Sequence, residues 1–549
     1  MHEIELKFQV PAAQRAAVDR AVAGRTGPDR KVQPRVRLQA AYFDTAQRAL
    51  AKARLALRVR REGRRLVQTL KGATADGMTR LEHNVALGPR FGAAAEPPQA
   101  DPALHAGTPA GDRLFAALGH GTDGADGAID DRAHGGARPG EPLAVLYRTD
   151  ILRRTRIQRS RLGRVELAFD SGSITAGTAT LAVCELEIEL LAGSPLAVLD
   201  AARRWLPRFG LWLDTRSKSE RGDMLARGEA VAPPRVASSV DLTPQMSGSQ
   251  ALRRVLASCA DQVIGNASQI ACGEHTDEHV HQLRIGLRRL RTALQLFDRA
   301  DDAAPARPAS LSAVDPGLAA AAATLFRRLG AARDQVVIEA GFAAALHAAL
   351  QVAGVSGDAP RATASDAEAA PDAVLREAAS QRLLLDLLAA TQAAGPAAGQ
   401  AAGRSTGACE PSASSPAEEP DLRHQLAARL NRWHRRAAAD AKRYRKLDDA
   451  GRHRLRKHVK RLRYALEFSA ALFPRRAVRR YLAALRAAQE RLGAINDVVM
   501  AMEAFRRSRD ADPRAWFALG WLAARREVLM AQALPDLKKF AGAKRFWKQ

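Results

Sequence analysis

The chain has 549 residues, 46% hydrophobic and 26% charged, with 85 Lys and Arg against 59 Asp and Glu for a formal net charge of +26. That length exceeds one ordinary core and predicts two or more domains, while the charge predicts an anionic partner without choosing between nucleic acid, anionic membrane and phosphate polymers. The four cysteines, Cys184, Cys259, Cys272 and Cys409, lie far apart with no CxxC pair, which argues against a zinc ribbon or a disulfide framework and fits a reducing cytosol.

The first residues, Met1-His2-Glu3-Ile4-Glu5, are acidic where a secretory signal needs a basic start and an apolar run. The most apolar later stretch, Leu383 to Ala402, is interrupted by Asp386, Gln392, Gly395, Pro396 and Gln400. No transmembrane helix and a cytoplasmic location are therefore expected.

From Glu3 to Phe8 charged and apolar residues alternate, so a strand places Glu3, Glu5 and Lys7 on one face and Ile4, Leu6 and Phe8 on the other. The pattern recurs. Leu55, Leu57 and Val59 alternate with Arg58 and Arg60, Lys71 ends the run from Leu66, and Arg80 and Glu82 flank Leu81. Glu166 and Asp170 follow in a later run, then Glu185, Glu187 and Glu189 alternate with Leu186, Ile188 and Leu190. A sheet with one solvated face accounts for any single segment. It does not account for whole basic strands set against whole acidic ones, which suit a closed barrel holding a highly charged anion with its metal ions. The segment Tyr147 to Arg156 holds four arginines in ambiguous register, so either Arg148 or Arg153 faces inward. Gly92 to Pro142, rich in Gly, Ala, Pro and Asp, reads as a long loop or disordered insertion.

The Pro/Ser-rich stretch Val231 to Ser249 marks a boundary, with a linker over 231–248 and helical spacing of Ala, Leu and Arg from residue 249 to the end. Asp301 to Pro316, Gly354 to Asp372 and Gly395 to Pro420 read as loops between long helices. Two segments share one spacing: His281, Arg284, Arg288 and Arg291, then His453, Arg456, Lys460 and Arg463. At about 100° per residue each set falls within an arc of roughly 80°. Leu283, Leu287, Leu290 and Leu294 occupy a separate arc, repeated by Leu455, Val459, Leu462 and Leu466. Arg289 and Arg461 lie off the basic arc. A second echo, Arg328-Leu329-Gly330 and Arg491-Leu492-Gly493, indicates a duplicated helical unit, with copies at about 249–350 and 421–530. Like charges at helical neighbours repel, so a basic ridge kept in both copies points to an anionic ligand. His275 and His279 have a spacing suited to zinc, but an acidic helix start is the simpler reading. The basic, aromatic tail Lys538 to Lys548 reads equally as a frayed terminus or an aid to anion binding.

The first half resembles the CYTH family of triphosphate tunnel metalloenzymes. Glu3-Ile4-Glu5-Leu6-Lys7 is similar to its ExExK signature, followed in order by Tyr42-Phe43-Asp44-Thr45, Leu57-Arg58-Val59-Arg60, Thr69-Leu70-Lys71, Arg80-Leu81-Glu82, Glu185 to Glu189 and Ser217-Lys218. The resemblance implies an α+β multidomain chain whose residues 1–230 form an eight-stranded antiparallel tunnel barrel with flanking helices. It implies Arg58, Arg60, Lys71, Arg80, Lys218 and Arg153, or Arg148 in its place, as phosphate ligands, with Lys7 and Glu82 as further catalytic or substrate-binding candidates, Glu82 and Glu166 alternatively holding basic neighbours in place. It also implies Glu3, Glu5, Glu185 and Glu187 as ligands of Mg²⁺ or Mn²⁺, with Glu189 and Asp170 as further candidates. Tyr42-Phe43-Asp44 in place of His-Phe-Asp favours hydrolysis over cyclisation. The second half resembles the CHAD family, an all-α duplicated helical bundle associated with polyphosphate. That resemblance implies His281, Arg284, Arg288, Arg291, His453, Arg456, Lys460 and Arg463 as polyphosphate ligands. The expected function is hydrolysis of inorganic triphosphate with polyphosphate binding, and association with polyphosphate granules. The alternatives are a non-catalytic polyphosphate-binding protein or a hydrolase of thiamine triphosphate or a nucleotide. No nucleic-acid motif is recognisable, so nucleic-acid binding is expected to be unspecific.

Overall fold

A computed structural model of the chain describes residues 2–24, 34–63, 65–73, 79–89, 98–119, 141–298, 314–355, 359–360, 369–392 and 421–548. It contains two compact units, one of Met1–Pro234 with Ile264–His279 and Leu375–Leu385, the other of Arg235–Val263, Val280–Val374 and Asp386–Gln549.

The first unit is built on an antiparallel sheet of β1 (His2–Gln9), β2 (Val36–Asp44), β3 (Leu55–Glu62), β4 (Arg65–Ala73), β5 (Thr79–Pro89), β6 (Ala144–Ser160), β7 (Gly163–Ala176), β8 (Ala179–Gly193) and β9 (Trp212–Leu213). The strand order is β5-β4-β3-β2-β6-β7-β8-β1-β9, with β5 also paired to β1. Strand β1 makes this closure possible by dividing its edges: Glu5 to Gln9 pair with β8, and His2 to Ile4 pair with β5. Eight strands thus close into a ring. The ninth is a two-residue addition beside Phe8 and Gln9, an element too short to leave a period in the sequence.

Helices cover the outside of the ring. The helix α1 (Arg15–Ala23) buries Val18 and Val22, and α4 (Leu196–Phe209) buries Val198, Leu199, Ala202 and Leu206, the latter helix lying against β7 and β8. The region expected as an insertion is partly structured. Residues 102–105 form a 3₁₀ turn capped by Asp101, and α3 (Pro109–Ala117) begins at Thr108, whose hydroxyl accepts from the Gly111 N–H at 3.0 Å. Proline at the first helical position after a threonine cap is a helix start, not a loop mark. Ala110 and Leu114 then join Phe43, Leu50, Leu57, Val59 and Leu70 in one core cluster. Residues 90–97 and 120–140 of that region lie outside the described residues.

His105 is fully buried beneath α3, 2.8 Å from His83 Nδ1 and 3.1 Å from the Gln68 amide. Burial and the neighbouring His83 push its pKa down to about 4. Between its ordinary value near 6.5 and that value, the unfolded chain binds a proton that the folded chain refuses. The barrel unit is therefore expected to lose stability as pH falls from about 6.5 to about 4, and His105→Asn to flatten that slope, in urea melts across the range.

The helical region comprises α6 (Gly248–Ala271), α7 (Asp277–Phe297), α8 (Leu318–Arg328), α9 (Gly330–Val352), α10 (Pro371–Arg376), α11 (Ala378–Gln392), α12 (Leu422–Lys442), α13 (Asp449–Ser469), α14 (Arg475–Ser508) and α15 (Ala515–Ala541). The duplication is visible in α7 and α13, whose leucine and valine arcs are buried at equivalent offsets. It is imperfect at the second echo: the first copy breaks at Leu329 between α8 and α9, whereas Leu492 lies inside the single helix α14. The tail is anchored, since Phe546 and Trp547 are buried. Of the expected loops, 301–313, 356–358, 361–368 and 395–420 lie outside the described residues. Among the described residues no helix is long and apolar enough to cross a membrane.

Candidate functional site: a charged barrel interior and a basic helical ridge

Inside the ring is a cavity of about 590 Å³. Strand alternation aims Glu3, Glu5 and Lys7 of β1, Arg58 and Arg60 of β3, Lys71 of β4, Glu82 of β5, Arg153 of β6, Glu166 and Asp170 of β7, and Glu187 and Glu189 of β8 at this cavity. Lys218 reaches it from α5 (Lys218–Ala226), which starts at a capping box between Ser217 and Glu220. Gly222 lets α5 approach β6, because a Cβ there would lie 2.3 Å from the Tyr147 ring. Tyr147 in turn stacks on Tyr42 at 4.6 Å, and the Tyr42 hydroxyl accepts from Arg58 at 3.2 Å.

These charges neutralise one another. The Arg153 fork donates to both oxygens of Asp170 at 2.7 and 2.6 Å and also to Glu187. Lys218 Nζ lies 2.6 Å from Asp170, 3.0 Å from Glu187, and in contact with Glu185. Lys71 bridges Glu3 at 2.7 Å and Glu82 at 3.1 Å, and Lys7 pairs with Glu5. Against burial, Asp170, Glu185 and Glu187 hold the Lys218 ammonium's pKa well above its usual value, and Lys218 and Arg153 hold Glu187 well below the carboxylate range. The other wall is less compensated. Burial raises Glu3 to about 7 despite Lys71, and burial with Glu5 raises Glu189 to about 6. Glu82, where Lys71 and a hydrogen bond from Glu3 outweigh burial, falls to about 2, so the two carboxyls titrate as a pair.

Three expected residues stand apart. Arg148 is exposed, one strand parity away from Thr149, Ile151 and Arg153, which line the cavity; Arg153 is the inward residue. Glu185 is fully buried off the lining, held by Lys218 and by Arg221, a residue the sequence reading did not select. Arg221 follows Lys218 by three positions on the same face of α5, a spacing that could have found it. Arg80 pairs through its backbone with Glu3, and its side chain lies outside the described residues.

Asp170, Glu185 and Glu187 bring carboxylate oxygens within 4.8 Å of one another, a hard oxygen set suited to a divalent cation. Lys218 Nζ already occupies the middle of that set. Glu3 and Glu189, raised chiefly by burial and then by the neighbouring Glu5 carboxylate, form a second acidic group with Glu5, where a divalent cation would offset the crowding of negative charge. The lining carries six basic side chains (Lys7, Arg58, Arg60, Lys71, Arg153, Lys218) against seven carboxylates (Glu3, Glu5, Glu82, Glu166, Asp170, Glu187, Glu189), a balance that suits an anion only together with added cations.

In the second unit the ridges of α7 and α13 converge. Arg284 and Arg288 both lie over the Phe326 ring, at 4.6 and 5.3 Å, and Arg284 donates to the Leu329 and Gly330 carbonyls at the helix break. Arg288 reaches the Tyr464 hydroxyl at 3.5 Å. Lys460 is pushed down to about 6 by burial and then by Arg456 and Arg288, with Arg463 adding to the effect against Asp497. His453 is lowered by burial, Lys457 and Arg456, while His281 and Arg291 are half-buried on the same helical arc as Arg284 and Arg288. Arg289 faces the core instead, donating to Gln262 at 2.8 Å, and Arg461 covers Trp433 at 4.4 Å. His279 is structural, its ring nitrogens bonded to Thr276 and the Ala232 carbonyl.

Fold and site define a closed barrel with opposed cationic and anionic walls, joined in sequence to a duplicated helical unit with a basic ridge. Residues 1–222 match the model of the CYTH domain and residues 254–506 that of the CHAD domain, so the chain carries a domain of each family in that order. An inorganic triphosphatase of Haemophilus influenzae is 25% identical over 192 residues, which cover 34% of this chain and 44% of that relative, so the chain spans less than half its length. The solved CHAD domain of the plant Ricinus communis is 26% identical and covers 57% of this chain and 98% of its own, with a TM-score of 0.40. An adenylyl-cyclase-like protein of Hippeastrum, described as having a dominant triphosphatase activity, is 17% identical and covers 42% of this chain and 97% of its own, with a TM-score of 0.26.

Proposed function

We propose that the barrel hydrolyses inorganic triphosphate with Mg²⁺ or Mn²⁺ and that the helical domain binds polyphosphate. The observation that carries this reading is the cavity with five of its six cationic side chains on β3, β4, β6 and α5 and its seven carboxylates on β1, β5, β7 and β8, Lys7 on β1 being the exception. Arg153, Arg58 and Arg60 present forks matched to phosphate oxygens, and Lys71 and Lys218 add compact charge. Phosphate oxygens would replace carboxylate partners on Lys71, Lys218 and Arg153, freeing those carboxylates. Glu3, Glu5, Glu187 and Glu189 would hold the metal, and Asp170 and Glu185 would keep Lys218 and Arg221 in place. A divalent ion bound there supplies charge neutralisation and an activated water for attack on the terminal phosphorus. The converging ridges of α7 and α13, with Lys460 forced towards its neutral form, support an anion ligand in the helical domain.

The test is phosphate release from inorganic tripolyphosphate with Mg²⁺ or Mn²⁺, with ATP and thiamine triphosphate as competitors. Chelation with EDTA is expected to stop turnover, and Glu5→Ala or Glu187→Ala to lower it at least a hundredfold or so. Preference for either competitor would shift the substrate to an organic triphosphate. No release from any of them, beside tight polyphosphate binding, would favour a non-catalytic anchor.

A further inference from the structure

A second basic cavity, of about 640 Å³, lies in the helical unit between the C-terminal half of α12 and the turn that follows α15. Its charged lining is Arg435, Lys442, Lys544 and Arg545, with His434 beside them, and no carboxylate is among the described residues that line it. None of these residues belongs to the ridges of α7 and α13. Cations gathered around one cavity repel one another unless an anion joins them. Two of the lining residues are fixed in place, while Arg435, Lys442 and Lys544 are exposed. Arg545 is tethered to Asn431 at 2.9 Å, and His434 is held at its Nδ1 by the Tyr481 hydroxyl at 2.6 Å, within a cage of Tyr481, Phe540 and Trp547 rings.

His434 is nearly fully buried, and burial with Arg545 and Lys442 keeps the ring neutral at physiological pH. The 2.6 Å bond between His434 Nδ1 and the Tyr481 hydroxyl fixes the ring's orientation, with either atom able to donate. The remaining lining residues, Ala438, Ala439, Ala541, Gly542 and Ala543, are small and leave the volume open. We propose that this cavity is a binding site for a compact, multiply charged phosphate anion, held by Arg435, Lys442, Lys544 and Arg545, with His434 beside them. It is separate from the barrel interior and from the helical ridge, and does not depend on either being functional.

Trp547, with its ring 6.0 Å from that of His434, gives a local reporter. Inorganic tripolyphosphate, added in EDTA to the full chain, is expected to change Trp547 fluorescence, identified as the part of the signal that Trp547→Phe removes. In the double variant Lys442→Ser, Lys544→Ser the half-point should move to at least tenfold or so higher concentration, a loss of about 1.4 kcal/mol of binding. A charge-matched control on the exposed face of α15, Lys538→Ser with Lys539→Ser, should leave the half-point in place, as should Arg288→Ser with Arg463→Ser on the ridge. Phosphate release by the cavity variant should be unchanged. Equal shifts in the cavity variant and the α15 control would reduce the effect to net charge and overturn the proposal. So would a signal that survives Trp547→Phe, or no signal at all.

Discussion

Lys218→Ala is expected to abolish phosphate release from tripolyphosphate and to destabilise the barrel by about 3–5 kcal/mol, the usual cost of stripping a buried charge of its partner. The ammonium touches Asp170, Glu185 and Glu187 together, and Asp170 and Glu185 are fully buried. Arg153 and Arg221 cannot replace it: Arg153 already spans Asp170 and Glu187, and Arg221 is committed to Glu185. The pH dependence separates this account from a simple packing defect. With Lys218 gone, one or more of the three carboxyls would bind its proton more tightly folded than unfolded, so that pKa would rise above the ordinary value near 4. A raised folded pKa gives stability that is present at low pH and is lost as pH rises through it. The gap between wild type and variant should therefore widen from pH 5 to pH 7.5 in urea unfolding. A gap that stays constant with pH would sink the electrostatic account, and turnover near the wild-type rate would remove Lys218 from the substrate site.

How much of this was legible in the sequence depended on strand parity. On β1, β3 and β8 charged residues alternate cleanly with Leu, Ile, Val or Phe, so the inward face could be read directly. On β6 it could not, because Leu152 is 40% exposed while Ile151 is buried, and arginines occupy both parities. Nothing local distinguishes Arg148 from Arg153; only pairing of Arg153 with Asp170 on β7 does. Closure through a divided β1 and the addition of β9 are long-range pairings with no local pattern. In the same way, Pro102, Gly107 and Pro109 read as loop punctuation, although Thr108 with Pro109 starts a helix whose Leu114 completes a core. In the helical half the arcs of α7 and α13 were legible because leucine and arginine separate by angle within a single helix. What a single helix cannot reveal is that the two ridges meet, which is what drives Lys460 away from its ordinary state.

That meeting sets the second large effect. If polyphosphate binds the ridge, binding should take up a proton, and affinity should fall by up to about tenfold per pH unit between pH 6 and pH 8. In the unliganded protein burial, Arg456 and Arg288 hold the Lys460 pKa at about 6, so the amine is mostly neutral at pH 7.5. A phosphate chain between these groups cancels the repulsion and returns the pKa towards its ordinary value. Calorimetry in buffers of different ionisation enthalpy should detect that proton, and Lys460→Arg, charged at every pH, should bind without the pH slope. The same shift has a stability consequence of opposite sign. Between pH 10.5 and pH 6 the unfolded chain holds a proton at Lys460 that the folded chain lacks, so this residue costs stability increasingly as pH falls through that window. Lys460→Met should therefore raise stability at pH 7 by on the order of 1–2 kcal/mol while weakening polyphosphate binding. A variant that loses both stability and binding would mean that Lys460 is held in place by packing and not opposed by charge. Affinity independent of pH in the wild type would mean that the chain does not lie between Arg288, Arg456 and Lys460.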